Sequence, residues 1–535
     1  MNPSKKLFAV SADFSGPGKM TVPALKTFVL NIKKFGYNAL LLSIADTYEV
    51  KDEPYFGYLK GRYTKSEIQE LDRYCLSLGI DLIPDIQVLA HVGGLFKWPR
   101  YWGYRDTGDI LLVGDEKVNV LLDHIFASLR DMFSSRRIHI GCDEAYSLGK
   151  GRYQDIHGEK DPLSILNEHL SYVKKLCQRY DFQPMMWSDM LFRSINRNSY
   201  WDTSFHFSKQ QKERMPKGIP VIYWDYDGRS KEHYQALIQE HKKAFKEVYF
   251  ATTANTYEGL APLNTYSLER AFPAMDACKE EGIDNIIVTL WCDDGYECSY
   301  NTALPCLFAI KRHYDGIQNI DQIKKEFLEL TGENFDHLFA LEKNNLIKHP
   351  AINNNNEDKW MFYSDPFLGY LDQCVKEGSG EDFHNLALEL ASYEKGSKYD
   401  YLFAEGAALS DFLSVKAEIG VKTRKAYQKQ SKEELKKLIS EYDLVIEKLN
   451  AFYNAFEIMW KKENKDMGLE KHQFRIGALK FRLQKCKDKI QSYLNGEIDH
   501  IPELEQEMLD YFGNGKTMTD DSPTLVPFRG IIEIY

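Results

Sequence analysis

The sequence predicts an α/β fold: a (β/α)8 TIM barrel at residues 1–318, followed by a mostly α-helical C-terminal domain at residues 319–535. Three observations predict it. Short apolar, β-branched runs alternate with amphipathic stretches through the first 315 residues or so. The runs are apolar throughout, as parallel strands covered on both faces are. Acids and aromatics gather directly after the runs, where such a barrel carries its chemistry.

The elements follow in order. Leu7–Ala12 is the first run, and the helix-like Val22–Phe35 leads to Ala39–Ile44. Lys65–Leu78 leads to Asp81–Val88, Val118–Phe133 to Ile138–Gly141, and Pro162–Tyr180 to Gln183–Trp187. Pro220–Trp224, Glu247–Ala251 and Asn285–Trp291 complete a set of eight strands. The structural rival is a doubly wound open sheet. That fold carries G-x-G-x-x-G after its first strand, and Ser15-Gly16-Pro17-Gly18-Lys19 is neither that fingerprint nor a P-loop. From about Ile320 to Leu494 helical periodicity takes over, as in Glu433–Phe456 and Phe474–Tyr493. Residues Asn353–Glu357 read as a surface loop, and Asp520–Tyr535 as a loop or short strand docked on the body.

Composition bounds the function. With 43% hydrophobic and 13% aromatic residues, the 535-residue chain has material for a packed core. A net charge of −11 argues against a general nucleic-acid partner, which needs clustered Lys and Arg. The 33 Tyr, 30 Phe and 8 Trp suit carbohydrate faces as well as cores. The nine Cys form no C-x-x-C pair and are expected to be reduced thiols. Lys5 and Lys6 precede an apolar stretch too short for a signal-peptide core, and no 18-residue apolar run exists. The expectation is a cytoplasmic protein with no membrane partner.

The strand ends carry the candidate chemistry. Asp13 follows the first run and His91 the third. The fourth continues as His139-Ile-Gly-Cys-Asp143-Glu144, and the fifth as Trp187-Ser-Asp189. Trp224 and Tyr226 follow the sixth, Tyr257 the seventh, and Trp291 and Asp293 the eighth. Adjacent carboxylates such as Asp143 and Glu144 can divide roles when their environments differ. Neighbours on a regular strand point to opposite faces, but a bend at the strand end lets both face a cleft. Glu144 reaches one methylene further, which suits it to protonating a leaving group while Asp143 holds something closer in. Trp187, Trp224 and Trp291 would box the apolar face of a sugar ring. Asp189 and Asp293 would accept hydrogen bonds from its hydroxyls. His91 and His139 lack the H-E-x-x-H spacing of a metal site. They are expected to hydrogen-bond the acids and tune them, with no metal and no cofactor.

His139-Ile-Gly-Cys-Asp143-Glu144 resembles the His-x-Gly-x-Asp-Glu motif of the family 20 glycoside hydrolases, the exo-β-N-acetylhexosaminidases. The other strand ends resemble that family too, across residues 1 to about 315. The helical region, with Trp460-Lys-Lys-Glu-Asn-Lys465 and Arg475-Ile-Gly477, is similar to its bacterial branch without a secreted architecture. The resemblance implies substrate-assisted hydrolysis with retention, in which the 2-acetamido oxygen of the substrate attacks the anomeric carbon. Glu144 would then be general acid and base, and Asp143 would orient the acetamide. Tyr257, with Tyr226 as the alternative, would donate to the acetamide oxygen. Asp13, His91, His139, Trp187, Asp189, Trp224, Tyr226, Trp291 and Asp293 would line the sugar site.

The sequence departs from the family in two places. Asp293 stands where Glu is usual, and Val10-Ser-Ala-Asp13-Phe-Ser15 lacks the Arg that follows the first strand in many members. Asp13 and Arg475 are the candidates to replace it. The implied substrate is an oligosaccharide or glycoconjugate with terminal β-linked GlcNAc or GalNAc. Two other readings stand open: a non-catalytic sugar binder, and a glycosidase using Asp189 or Asp293 as a covalent nucleophile. The C-terminal helices either pack on the barrel or make a homodimer contact.

Overall fold

The computed structural model describes residues 6–349 and 356–509. The tail Asp520–Tyr535, and residues 353–355 of the expected loop, lie outside the described residues.

Eight parallel strands close into a barrel. They are β1 (Phe8–Asp13), β2 (Ala39–Ser43), β3 (Asp81–Asp85), β4 (Arg137–His139), β5 (Gln183–Trp187), β6 (Val221–Trp224), β7 (Val248–Thr253) and β8 (Ile286–Leu290). Each pairs with the next in sequence, and β1 pairs with β8, Phe8 opposite Ile286, to complete the ring. Alternate residues point into the lumen. There the small Ala9, Ala39 and Ala251 make room for Tyr249, Met185 and Trp187.

The helices start and stop where local chemistry dictates. In α1 (Val22–Phe35) the Thr21 hydroxyl accepts from the Ala24 N–H, and Gly36 ends the helix at φ +98°. In α2 (Lys65–Ser77) Thr64 and Glu67 form a reciprocal capping box. The crossovers continue with α3 (Glu116–Met132), α4 (Pro162–Arg179), α5 (Lys231–Ala244), α6 (Asn264–Glu280) and α7 (Leu304–Tyr314).

Two features differ from the sequence reading. First, β3 ends at Asp85 and β4 at His139, before the apolar runs end. Val88 and Ile140 remain buried, but burial continues beneath a loop once Gly141 and Cys142 turn to φ +65° and +69°. Second, no long helix follows β5. Only Asp189–Arg193 and Lys209–Arg214 are helical, because Asn196, Asn198, Ser199 and Asp202 favour turns.

The chain forms two compact units. The first, which holds the whole barrel, runs to Ala254 and includes Thr265–Trp291 and Cys306–Ile323. The second comprises Asn255–Asn264, Cys292–Pro305 and the chain from Lys324 onward. Its long helices are α8 (Asp400–Gln428), α9 (Lys432–Glu463) and α10 (Leu469–Asn495), joined by tight turns.

Its interior is held by charge as well as by apolar packing. The buried Glu297 carboxylate meets Lys359 Nζ at 2.6 Å and Arg475 Nη1 at 2.9 Å, and it accepts from the Tyr363 hydroxyl at 3.0 Å. Burial alone would raise this carboxyl, but the two cations outweigh it and hold the pKa at about 2. Glu463 accepts from Asn301 Nδ2 at 2.8 Å and from the Tyr401 hydroxyl at 2.6 Å. Burial raises its pKa.

Removing one member of a buried ion cluster typically costs about 3–5 kcal/mol. Glu297→Leu is therefore expected to lower the unfolding free energy of the second unit by about that amount, read by denaturant titration. The contribution of Glu297 is present above its unfolded pKa near 4.5 and is lost as pH falls toward about 2. The wild-type advantage should accordingly shrink in acid. An unchanged midpoint at pH 7 would contradict this account.

Candidate active site

The backbone after β4 creates the site. Gly141, Cys142 and Glu144 all lie at positive φ, +65°, +69° and +52°. A Cβ at Gly141 would sit 2.0 Å from Gln87 Oε1, so a larger residue there would have to displace that amide as well as adopt φ +65°. Left-handed backbone at Cys142 and Glu144 costs about 1–3 kcal/mol each. The bend turns two sequence neighbours the same way. His91 Nε2 stands 3.2 Å from Asp143 Oδ2 and 3.7 Å from Glu144 Oε2.

The two carboxylates have different surroundings. Asp143 is the deeper, with its side chain 15% exposed against 37% for Glu144. Gln87 Nε2 donates to Asp143 Oδ1 at 2.9 Å. Glu144 Oε1 instead accepts from the Tyr146 hydroxyl at 2.8 Å, and the Glu144 N–H donates to Asp189 Oδ2 at 3.0 Å. Burial works against the His91 cation. The hydrogen bond to Asp143 and the charges of Asp143, Glu144 and Asp109 prevail, and its pKa rises to about 9. Reciprocally, burial would raise Asp143, but His91 and Gln87 hold it below the usual carboxylate range. Asp189 is fully buried. Desolvation and the nearby Asp143 charge push it to about 7.

His139 takes a supporting place. Its Nδ1 lies 2.7 Å from Asp85 Oδ1, and the Ser11 hydroxyl donates to Asp85 Oδ2 at 3.2 Å. Its ring stands edge-on to Trp187, centroids 4.6 Å apart.

The aromatic residues meet within the first unit. Trp187 is 2% exposed and tops the lumen core, with Trp291 at 6.0 Å. Trp291 Nε1 donates to the Tyr226 hydroxyl at 3.1 Å, and Trp224 lies 5.3 Å from the Tyr226 ring.

Asp13 is buried and accepts from the Ser15 N–H at 2.8 Å. Tyr257 and Asp293 fall in segments of the second unit. There the Tyr257 N–H donates to Asn255 Oδ1 at 3.3 Å, and Asp293 opens a short turn, Asp293–Gly295. Arg475 is engaged with Glu297 in the second unit. Among the described residues no group of three or more His, Cys, Asp or Glu side chains is arranged to hold a metal ion.

Sequence reasoning places Gln87 at the end of the third strand but gives it no role, and it misses Tyr146, Arg193 and Trp201. Gln87 falls at the end of the third apolar run, and Tyr146 lies two residues after Glu144, so position could have found both. Arg193 and Trp201 lie in the turn-rich segment after β5, which carries no such signal. The Arg193 guanidinium sits 4.9 Å above the Trp201 ring and 5.2 Å from the Tyr146 ring.

A closed parallel barrel with paired carboxylates after one of its strands is compatible with a glycoside hydrolase, and the family comparison assigns that class. The chain belongs to glycoside hydrolase family 20. The family 20 catalytic domain matches residues 27–270, and the C-terminal domain of the 20C group matches residues 333–522. Hexosaminidase D of Bos taurus is 25% identical over 248 residues, which are 43% of this chain and 66% of that one. Hexosaminidase D of Homo sapiens is 23% identical over 222 residues, 39% of this chain and 42% of its own. The chain thus spans less than two thirds of the length of either relative. A solved Flavobacterium johnsoniae chitobiase aligns over 86% of this chain and 78% of its own, at 13% identity and a TM-score of 0.47.

The Asp143–His91 pair makes a direct prediction. In His91→Gln the Asp143 carboxyl is expected to titrate at higher pH, because the cation that favours its charged form is gone. In the wild type the His91 imidazole should titrate near pH 9 in nitrogen–proton correlation spectra. Titration near its ordinary 6.5 would show that the pair does not form in solution.

Proposed function

We propose that the chain is a retaining exo-β-N-acetylhexosaminidase that removes terminal β-linked GlcNAc or GalNAc from oligosaccharides through an oxazolinium-type intermediate. One observation carries the reading. Asp143 and Glu144 are sequence neighbours converging on His91, yet they are held by different partners. An enzyme nucleophile and an acid usually stand about 5–5.5 Å apart across a sugar, each with its own approach. Adjacent carboxylates on one bend suit a reaction in which the substrate supplies the nucleophile.

Asp143, deep and kept ionised by His91 and Gln87, orients the acetamide and balances the positive charge that develops on it. Attack by the acetamide oxygen on the anomeric carbon breaks the glycosidic bond, and Glu144 gives its proton to the departing oxygen. Glu144 then takes a proton from the water that opens the oxazolinium ring, so configuration is retained. Positioning the acetamide converts a bimolecular attack into an intramolecular one of high effective molarity. Donation to the acetamide oxygen is assigned to Tyr257 by the family motif. Trp187, Trp224, Trp291 and Tyr226 form the aromatic floor and wall for the ring. Residues 1–318 are read as the catalytic domain. All nine cysteines are buried thiols, which supports a reducing compartment such as the cytoplasm.

The test uses wild type and Glu144→Gln on aryl β-GlcNAc, β-GalNAc and β-glucoside. Turnover is expected for the acetamido sugars only, falling by about 10²–10⁴ in the variant. The loss should be smallest on aryl groups that leave without a proton. Equal cleavage of the glucoside would sink the substrate-assisted scheme.

A further inference from the structure

Beside the carboxylate pair lies a cavity of about 370 Å³, inside the first unit. Its wall includes Tyr146, Lys150, Arg193 and Arg197, and no carboxylate lines it. Three cations around one hollow are unexpected on a chain of net charge −11. Two of them have partners. Lys150 Nζ pairs with Glu159 at 2.9 Å, both largely exposed, and Arg193 Nε is 3.8 Å from Asp189 Oδ2. An exposed pair like Lys150–Glu159 is worth little and yields to a better-placed anion. Arg197 forms no salt bridge among the described residues and is exposed. Arg193 is pre-positioned against the rings of Tyr146 and Trp201, so its fork loses little freedom on meeting a ligand.

The cavity also has a defined side. Tyr146 is both its wall and the hydroxyl that donates to Glu144 Oε1. Asp143, which holds the acetamide in the proposed reaction, is bonded by Gln87 instead. A group in the cavity therefore lies on the side of the proton donor, where the departing part of the substrate sits.

We propose that this cavity is a leaving-group subsite selecting an acidic sugar, one bearing a carboxylate or a sulfate ester next to the terminal acetamido sugar. The proposal rests on the hexosaminidase reading. Arg193 and Arg197 supply planar forks for a carboxylate or sulfate, and Lys150 a point charge. Tyr146 offers a ring face. Because Tyr146 also contacts Glu144, filling the cavity would fix the acid relative to the bond it protonates.

The experiment compares kcat/KM for three disaccharides in which GlcNAc is β-linked to galactose, to galactose 6-sulfate or to glucuronate. It uses the full-length wild type and the double variant Lys150→Gln/Arg197→Gln. One charge-assisted hydrogen bond is worth about 1.5–3 kcal/mol, so wild type should favour at least one acidic substrate by about 10-fold or more over the neutral one. The sulfate and glucuronate arms identify which anion is taken. That ratio should fall toward unity in the double variant, and also in wild type on raising salt from about 20 mM to about 500 mM. Hydrolysis of the neutral disaccharide with no acidic preference, or a preference untouched by the double variant, overturns this inference alone. Failure to cleave any of the three overturns the hexosaminidase reading as well.

Discussion

The site depends on one backbone constraint, the left-handed bend from Gly141 to Glu144. A regular strand would send Asp143 and Glu144 to opposite faces. The bend brings both to His91, and Gly141 leaves the Gln87 amide in place beneath it. Its cost is local strain together with repulsion between two nearby carboxylates. The repulsion is offset by a third charge: His91, itself at φ +55°, is held protonated between them. Bend, amide and imidazole thus form one arrangement, in which each part is unfavourable without the others.

That arrangement divides labour between chemically similar groups. Asp143 gains donors and loses solvent; Glu144 keeps solvent and a single phenol. Asp189 lies beneath them, wholly buried and shifted upward. Asp143, held below the usual carboxylate range, and Asp189, pushed up to about 7, therefore titrate apart within one small region, which is the condition for assigning separate proton tasks at one pH.

Much of the fold was legible in the sequence. Val22–Phe35 and Gln183–Trp187 were read with their observed bounds, because caps and turn residues frame them sharply. The overrun at β3 and β4 has a physical cause: apolar side chains stay buried after the hydrogen-bond ladder stops, and hydrophobicity records burial rather than pairing. The missing long helix after β5 was hidden by eight-fold regularity, although the asparagines there argued against it. At the site, the convergence of His91 with Asp143 and Glu144 follows from their strand-end positions. Gln87 and Tyr146 received no role because neutral residues carry no obvious charge chemistry, yet each holds one carboxylate. Asp13 and Arg475 were considered as substitutes for a missing cation. The structure finds Asp13 capping its own turn and Arg475 joined to Glu297.

The second unit is assembled from three separated stretches of chain, and this has a consequence for biosynthesis. Glu297 lies in the segment that follows the eighth strand, while its partner Arg475 comes 178 residues later. At ribosomal speeds of roughly 5–20 residues per second, that carboxylate meets Lys359 first but waits roughly 10–35 s for its second cation to be made. All eight barrel strands can pair in that interval, but Cys292–Pro305 stays without its final core. The nascent chain thus passes through a long-lived stage with a closed sheet and an unfinished second unit, the stage at which a chaperone or a protease would meet it.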